Sequence, residues 1–247
     1  MTYYDLGAYT RSITTKSPDA QVWFDRGLNW VFAFNHEEAI KCFAKALEQE
    51  PGCAMAHWGI SYAAGPNYNL PWHLYDPAGK AKALAAAYDA MKEALACVHL
   101  ATPVEQALIN ALPARYPQRE PIEDQSDWDK AYTRAMRAVF EKYRDDLEVR
   151  SVFAEAIMNE TPWQMWDLPS GGPAPDAGTL IAARALLGVA GATLMPSTLS
   201  IVRAIAVAHD ADITAAPGPD GGLRVEVTFA GVLVPESSVP GESLAQH

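Results

Sequence analysis

Residues 20–53 read AQVWFDRGLNWVFAFNHEEAIKCFAKALEQEPGC, a stretch that sets Trp23, Trp30 and Phe43 against Gly27, Ala39 and Ala46 at helical intervals and ends on Pro51. This pattern constrains the fold more than any other in the chain. Small residues at Gly27 and Ala39 let two paired helices approach closely. The three aromatic residues fill the space to a neighbouring pair, and Pro51 stops the second helix. One helix pair cannot bury both of its faces, so further pairs must stack on it.

The surroundings agree with that demand. Alanine dominates residues 20–165, and runs of alternating polarity are almost absent. Turn signals at Glu50-Pro51-Gly52, Gly65-Pro66-Asn67, Asp76-Pro77, Tyr116-Pro117 and Glu120-Pro121 divide the region. Thr102-Pro103-Val104-Glu105 is a capping box with proline at the first helical position, and Ser126 precedes another acidic helix start. Helices are therefore expected near 19–33, 36–49, 53–64, 77–99, 103–114, 126–144 and 146–158. The expected fold class is all-α over residues 1–166.

Composition changes after Trp166. Residues 167–178 are rich in Gly, Pro and Asp and read as a linker. A small-residue helix is expected from 179 to 209. Two β-like runs, 212–216 and 223–229, flank a Pro/Gly-rich turn and suggest a β-hairpin. The segment 179–231 is thus a small appended piece, and residues 232–247 read as a disordered tail.

The spacing in residues 20–53 is that of the tetratricopeptide repeat, a helix-turn-helix unit of about 34 residues. A second unit starts in phase at residues 54–60 and is interrupted by the loop 65–72, and a third, looser one runs from Trp128 to Ala154. Through FDRGLNWVFAFNHEEAIKCF, AMAHWGISYAAGPNYNLPW and NETPWQMWDLPSGGPAP, residues 5–175 resemble bacterial tetratricopeptide-repeat proteins of uncharacterised function. Such proteins are longer and richer in histidine, so the resemblance covers the front of such a domain. Residues 176–201 resemble a transmembrane helix of major-facilitator transporters. Residues 198–229 resemble the C-terminal end of the ATP-binding domain of sensor histidine kinases. The chain therefore reads as a chimera in which neither C-terminal piece is complete. The kinase lid pattern is missing before Leu199, so the resemblance implies no ATP site, and one helix cannot make a transporter.

Charge narrows the classes of partner. With 30 acidic residues against 19 Lys and Arg, the 247-residue chain carries a net charge of −11, which argues against nucleic acid. The stretch 185–202 is apolar but diluted by Gly188, Gly191 and Pro196, so a membrane span is not expected. The N-terminus lacks the basic and apolar regions of a secretory signal. Cys42, Cys53 and Cys97 form no metal or disulfide pattern, and a reducing cytoplasm is the expected setting.

No nucleophile elbow is present, and Gly221-Gly222 precedes a strand rather than a helix, so it is no phosphate loop. Glu141, Lys142, Arg144, Asp145, Asp146 and Glu148 read as a solvated helix end. His36, His57 and His73, with Asn67 and Asn69 nearby, are the candidates for a metal site. No pair of them sits at i, i+4 on one helix, and neither metal nor cofactor is expected.

Trp58, Tyr62, Tyr68, Trp72, Trp163 and Trp166 form aromatic patches, read either as packing between repeats or as a binding surface. The expected function is a non-enzymatic scaffold for a peptide or protein. Its contacts would be Asn29, Phe32, Asn35 and Ser61 on the first helices, and Asn67, Tyr68, Asn69 and Trp72 in the loop. An uncapped repeat end would permit homo-oligomers. The alternatives are a truncated metal-dependent enzyme at the histidines, or a fused fragment with no function as a unit.

Overall fold

The computed structural model describes residues 3–162, together with the backbone of four short strands further on. Trp163, the expected helix 179–209, the stretch 185–202, the tail 232–247 and most of the linker 167–178 lie outside the described residues.

Seven α-helices are found among the described residues: α1 (Pro18–Phe32), α2 (His36–Gln49), α3 (Ala54–Ala64), α4 (Pro77–Cys97), α5 (Pro103–Arg115), α6 (Ser126–Lys142) and α7 (Leu147–Glu160). Their ends lie within a few residues of those read from the sequence, because local chemistry sets them. Ser17 accepts a hydrogen bond from Ala20 N at the start of α1, with Pro18 in the first turn. Asn35 caps α2 through Glu38 N, Asp76 caps α4 through Ala78 N and Gly79 N, and Asp146 caps α7 through Val149 N. In each case a short polar side chain satisfies backbone donors that the helix itself leaves free. Glu105 closes the capping box of α5 by accepting from Thr102 N at 2.7 Å. The turn from α1 to α2 passes through Phe34, which has φ of 59° and is exposed.

Each helix packs on its successor in the chain, and α1, α3 and α5 also touch one another in series. The core between them holds Phe24, Leu28, Phe43, Met55, Trp58, Leu84, Leu108, Ile109, Leu112, Tyr116 and Met136, all fully buried. Phe43 tilts against Phe24, with ring centroids 5.5 Å apart. Trp30 is buried as well. Trp23 is half-buried against the Ala20, Ala46, Cys53 and Ala56 cluster, with Arg26 and Lys45 at 4.4 and 4.7 Å from its ring centroid. Among the described residues, no helix is long and apolar enough to cross a membrane.

The chain divides into two compact units, Leu6–Leu199 and a second formed by Met1–Asp5 with Ser200–His247. In the first unit, β1 (Trp166–Asp167) pairs antiparallel with β2 (Gly172–Pro173), starting at the last residue of the segment expected to be all-α and running into the stretch read as a linker. In the second, β3 (Ala211–Pro217) pairs antiparallel with β4 (Leu223–Phe229), in a register that sets Ala211 opposite Phe229 and Pro217 opposite Leu223.

Candidate functional site

Before α1, the segment 9–16 folds back along that helix, and side chains of three helices hold it. On α1, Asn29 donates from Nδ2 to Tyr9 O at 3.2 Å. Asp25 accepts from Arg11 N at 3.0 Å and from Thr10 Oγ1 at 2.6 Å. Gln21 accepts from Ile13 N at 3.0 Å and donates to Arg11 O at 2.7 Å. Glu105 of α5 takes both Thr14 N and Thr14 Oγ1, at 2.8 and 2.6 Å. Four polar side chains on two helices therefore read the main chain of one extended segment. Burial keeps the Asp25 carboxyl somewhat above the usual carboxylate range despite these donors.

Arg11 anchors the same segment at α7. Its guanidinium forms a two-pronged pair with Asp146, at 2.8 and 3.0 Å, and also bonds Glu148. The acidic run read as a solvated helix end is therefore partly an internal clamp. Glu148 is only 8% exposed and Asp146 21%. Capping and pairing coincide in Asp146, which holds both Val149 N and Arg11.

The residues expected to contact a partner take different roles. Asn29 is 2% exposed and covered by the segment it binds, and Phe32 meets Tyr9 edge to face with ring centroids 6.1 Å apart. Asn35 is exposed but serves as the cap of α2. Ser61 is fully buried and donates to Ala87 O at 2.8 Å, so it holds α3 to α4 and offers nothing to a partner. In the loop, Asn67 organises its own turn by accepting from Asn69 N and Leu70 N, and its Nδ2 faces His36 Nδ1 at 3.0 Å. Asn69 is exposed and Tyr68 half-buried. Trp72 is buried, in a single turn of 3-10 helix at Trp72–Leu74.

The three histidines do not form a ligand set. His57 Nε2 lies 3.0 Å from Pro51 O, His73 is exposed, and burial lowers the pKa of His36. Among the described residues, no three His, Cys, Asp or Glu side chains are grouped as metal ligands would be.

Beneath the loop 65–72 lies a cationic centre that the sequence reading missed. Arg115, at the end of α5, is 1% exposed and donates from Nη2 to Pro66 O at 2.6 Å. Its guanidinium carbon lies 4.9 Å from the ring centroid of Tyr62 and 4.8 Å from that of Tyr132. Glu155 on α7 is the counter-charge, 3.8 Å from Arg115 Nη2, and it also accepts from Tyr62 Oη at 2.5 Å and Asn159 Nδ2 at 3.0 Å. Tyr116 closes the centre by donating to Ser61 O at 3.1 Å. Such a buried charge is tolerated only when paired and hydrogen-bonded.

A cleft of about 400 Å³ opens where α6 and α7 meet the Trp72 turn. Asp129 of α6 and Asn159 of α7 line it, with Trp72, Lys80 and Gln125. Burial pushes the Asp129 carboxyl up to about 7, against the opposing pull of Arg115. In the sequence Asp129 looks like any first-turn acid of a helix, and only Asn159, inside the NETPW stretch, stands out by composition.

Among known proteins, the chain matches no family model, no curated protein and no solved structure.

Proposed function

We propose that the helices of residues 18–160 form a tetratricopeptide-like array that acts as a scaffold for an extended peptide or protein segment, not as an enzyme. The observation that carries this reading is the segment 9–16, bound in cis. Gln21, Asp25, Asn29 and Glu105 make hydrogen bonds to its backbone N–H and C=O groups. Backbone contacts of this kind suit an extended chain of varied sequence, while a side-chain anchor such as Arg11 supplies selectivity. The contacts of α1 with α3 and of α3 with α5 support the repeat arrangement. In this reading the partner competes with the chain's own segment for one face, and Asn29 and Phe32 contribute to it. No described feature favours the metal-dependent alternative at His36, His57 and His73.

The test uses the full chain with Arg11→Ala, which frees the segment from α7, and a fluorescent peptide copying residues 7–16. The peptide is expected to bind this variant more tightly than the unaltered chain, and to lose affinity when Asp25→Asn is added. A folded Arg11→Ala chain that ignores the peptide would overturn the proposal.

A further inference from the structure

The cleft between α6, α7 and the Trp72 turn has no part in holding the segment 9–16. Its volume of about 400 Å³ falls within the range of small-ligand sites. Its charge is one-sided: Glu123, Asp124, Asp129 and Glu160 face Lys80 and His73, and Lys80 is already turned to Gln125 Oε1 at 3.2 Å.

Two acceptors there lack donors. Asn159 is 6% exposed; its Nδ2 is spent on Glu155, and its Oδ1 has no hydrogen-bond partner. A buried carbonyl oxygen left this way is unusual in a folded protein. The carboxylate of Asp129 receives no side-chain or backbone hydrogen bond among the described residues, although burial raises its proton affinity. Both groups would accept N–H donors.

The geometry argues against a bare metal ion as the donor's source. No three of the carboxylates and imidazoles are grouped closely enough among the described residues to share one ion. A cation that carries several N–H groups on an extended frame can reach acceptors on separate walls, and its methylene groups can lie against Trp72 and Pro71. We propose that this cleft binds a small organic cation, an alkylammonium or guanidinium, with Asp129 and Asn159 accepting its N–H groups and Trp72 forming the apolar wall. Glu123, Asp124 and Glu160 draw the cation to the mouth of the cleft.

The ligand can be a free amine or a basic side chain of a peptide, and both carry the same chemistry. Calorimetric titration of the full chain with agmatine, spermidine and a capped arginine peptide distinguishes the two sources by which probe binds more tightly. Saturable binding of any of them is expected. Asp129→Asn should weaken it by about tenfold, the worth of one charged hydrogen bond. Glu160→Gln should weaken it less, and it carries the test if Asp129→Asn does not fold. Asp145→Asn, a fully exposed acid on the α6–α7 turn, should leave binding unchanged. Absence of saturation overturns the proposal. So does equal weakening by Asp145→Asn and Asp129→Asn, since that would mean mere attraction to an acidic chain.

Discussion

Gly27 on α1 and Phe43 on α2 meet so closely that a Cβ built on Gly27 would lie 2.5 Å from the ring carbon Cε1. The same ring meets Gly59 on α3, where an added Cβ would lie 2.7 Å from it. One phenyl group of α2 thus packs against glycines of two other helices, so its size limits how closely α1, α2 and α3 approach. Alanine in an open helix would stabilise it by up to about 1 kcal/mol relative to glycine. Here Gly27→Ala and Gly59→Ala should instead each destabilise the protein by about 1–3 kcal/mol, because Phe43 is fully buried and has no room to yield. Urea denaturation checks the sign, with Gly52→Ala as control, since nothing lies within 4 Å of a Cβ there.

Arg11 joins the N-terminal segment to α7, and its loss would leave Glu148 buried without a counter-charge. Arg11→Met should cost about 3–5 kcal/mol, the range for breaking one side of a buried pair. Adding Glu148→Gln should recover part of that loss by removing the stranded charge. Denaturant melts of the single and double variants measure both effects. Limited trypsin digestion should also show faster cleavage after Lys16 in Arg11→Met.

Arg115 is not replaceable by lysine. Its planar fork reaches Pro66 O while its guanidinium carbon lies 4.9 and 4.8 Å from the Tyr62 and Tyr132 ring centroids, and an ammonium cannot do both. Arg115→Lys should destabilise by about 1–3 kcal/mol even though the charge is kept. Tyr62→Phe removes the 2.5 Å bond to Glu155 and should cost about 1–2 kcal/mol. Near-ultraviolet circular dichroism should report loosened tyrosine packing in the lysine variant. An unchanged melting curve there would mean that charge alone holds the centre.

Asp129 makes stability depend on pH. Its carboxyl is raised to about 7 in the folded chain from 3.8, so the folded state binds its proton more firmly than the unfolded state. The stabilisation from this group is complete below about pH 4, and it is lost as pH rises through 7. Arg115 opposes the shift, while Glu155, Glu160 and Asp124 reinforce it. The stabilising effect of Asp129→Asn should therefore grow between pH 5 and pH 8, by about 1 kcal/mol or more. Thermal melts of both proteins across that range give the difference, and a flat difference would mean that Asp129 titrates normally.

The helices were legible from the sequence because their signals are local. Asp76-Pro77 and Thr102 with Glu105, read as a turn signal and a capping box, each satisfy backbone donors within a turn of themselves, as do Ser17, Asn35 and Asp146, which the sequence did not single out as caps. The spacing of Gly27, Trp30 and Phe43 likewise announces a close helix contact. The candidate contacts were less legible. Asn29 and Phe32 do face an extended segment, but Ser61 is packing and Asn35 is a cap, roles that one polar residue on a helix cannot reveal by type.

What only the tertiary structure decided are the meetings of residues far apart in the chain. Arg11 finds Asp146 across 135 positions, Thr14 finds Glu105 across 91, and Tyr62 finds Glu155 across 93. A single sequence carries no mark of such pairs, since any arginine and any carboxylate satisfy it equally well. Caps and periodicity act within one or two turns, so the chain states them directly. Which charge is buried, and beside which partner, depends on how the helices stack once those local choices are made.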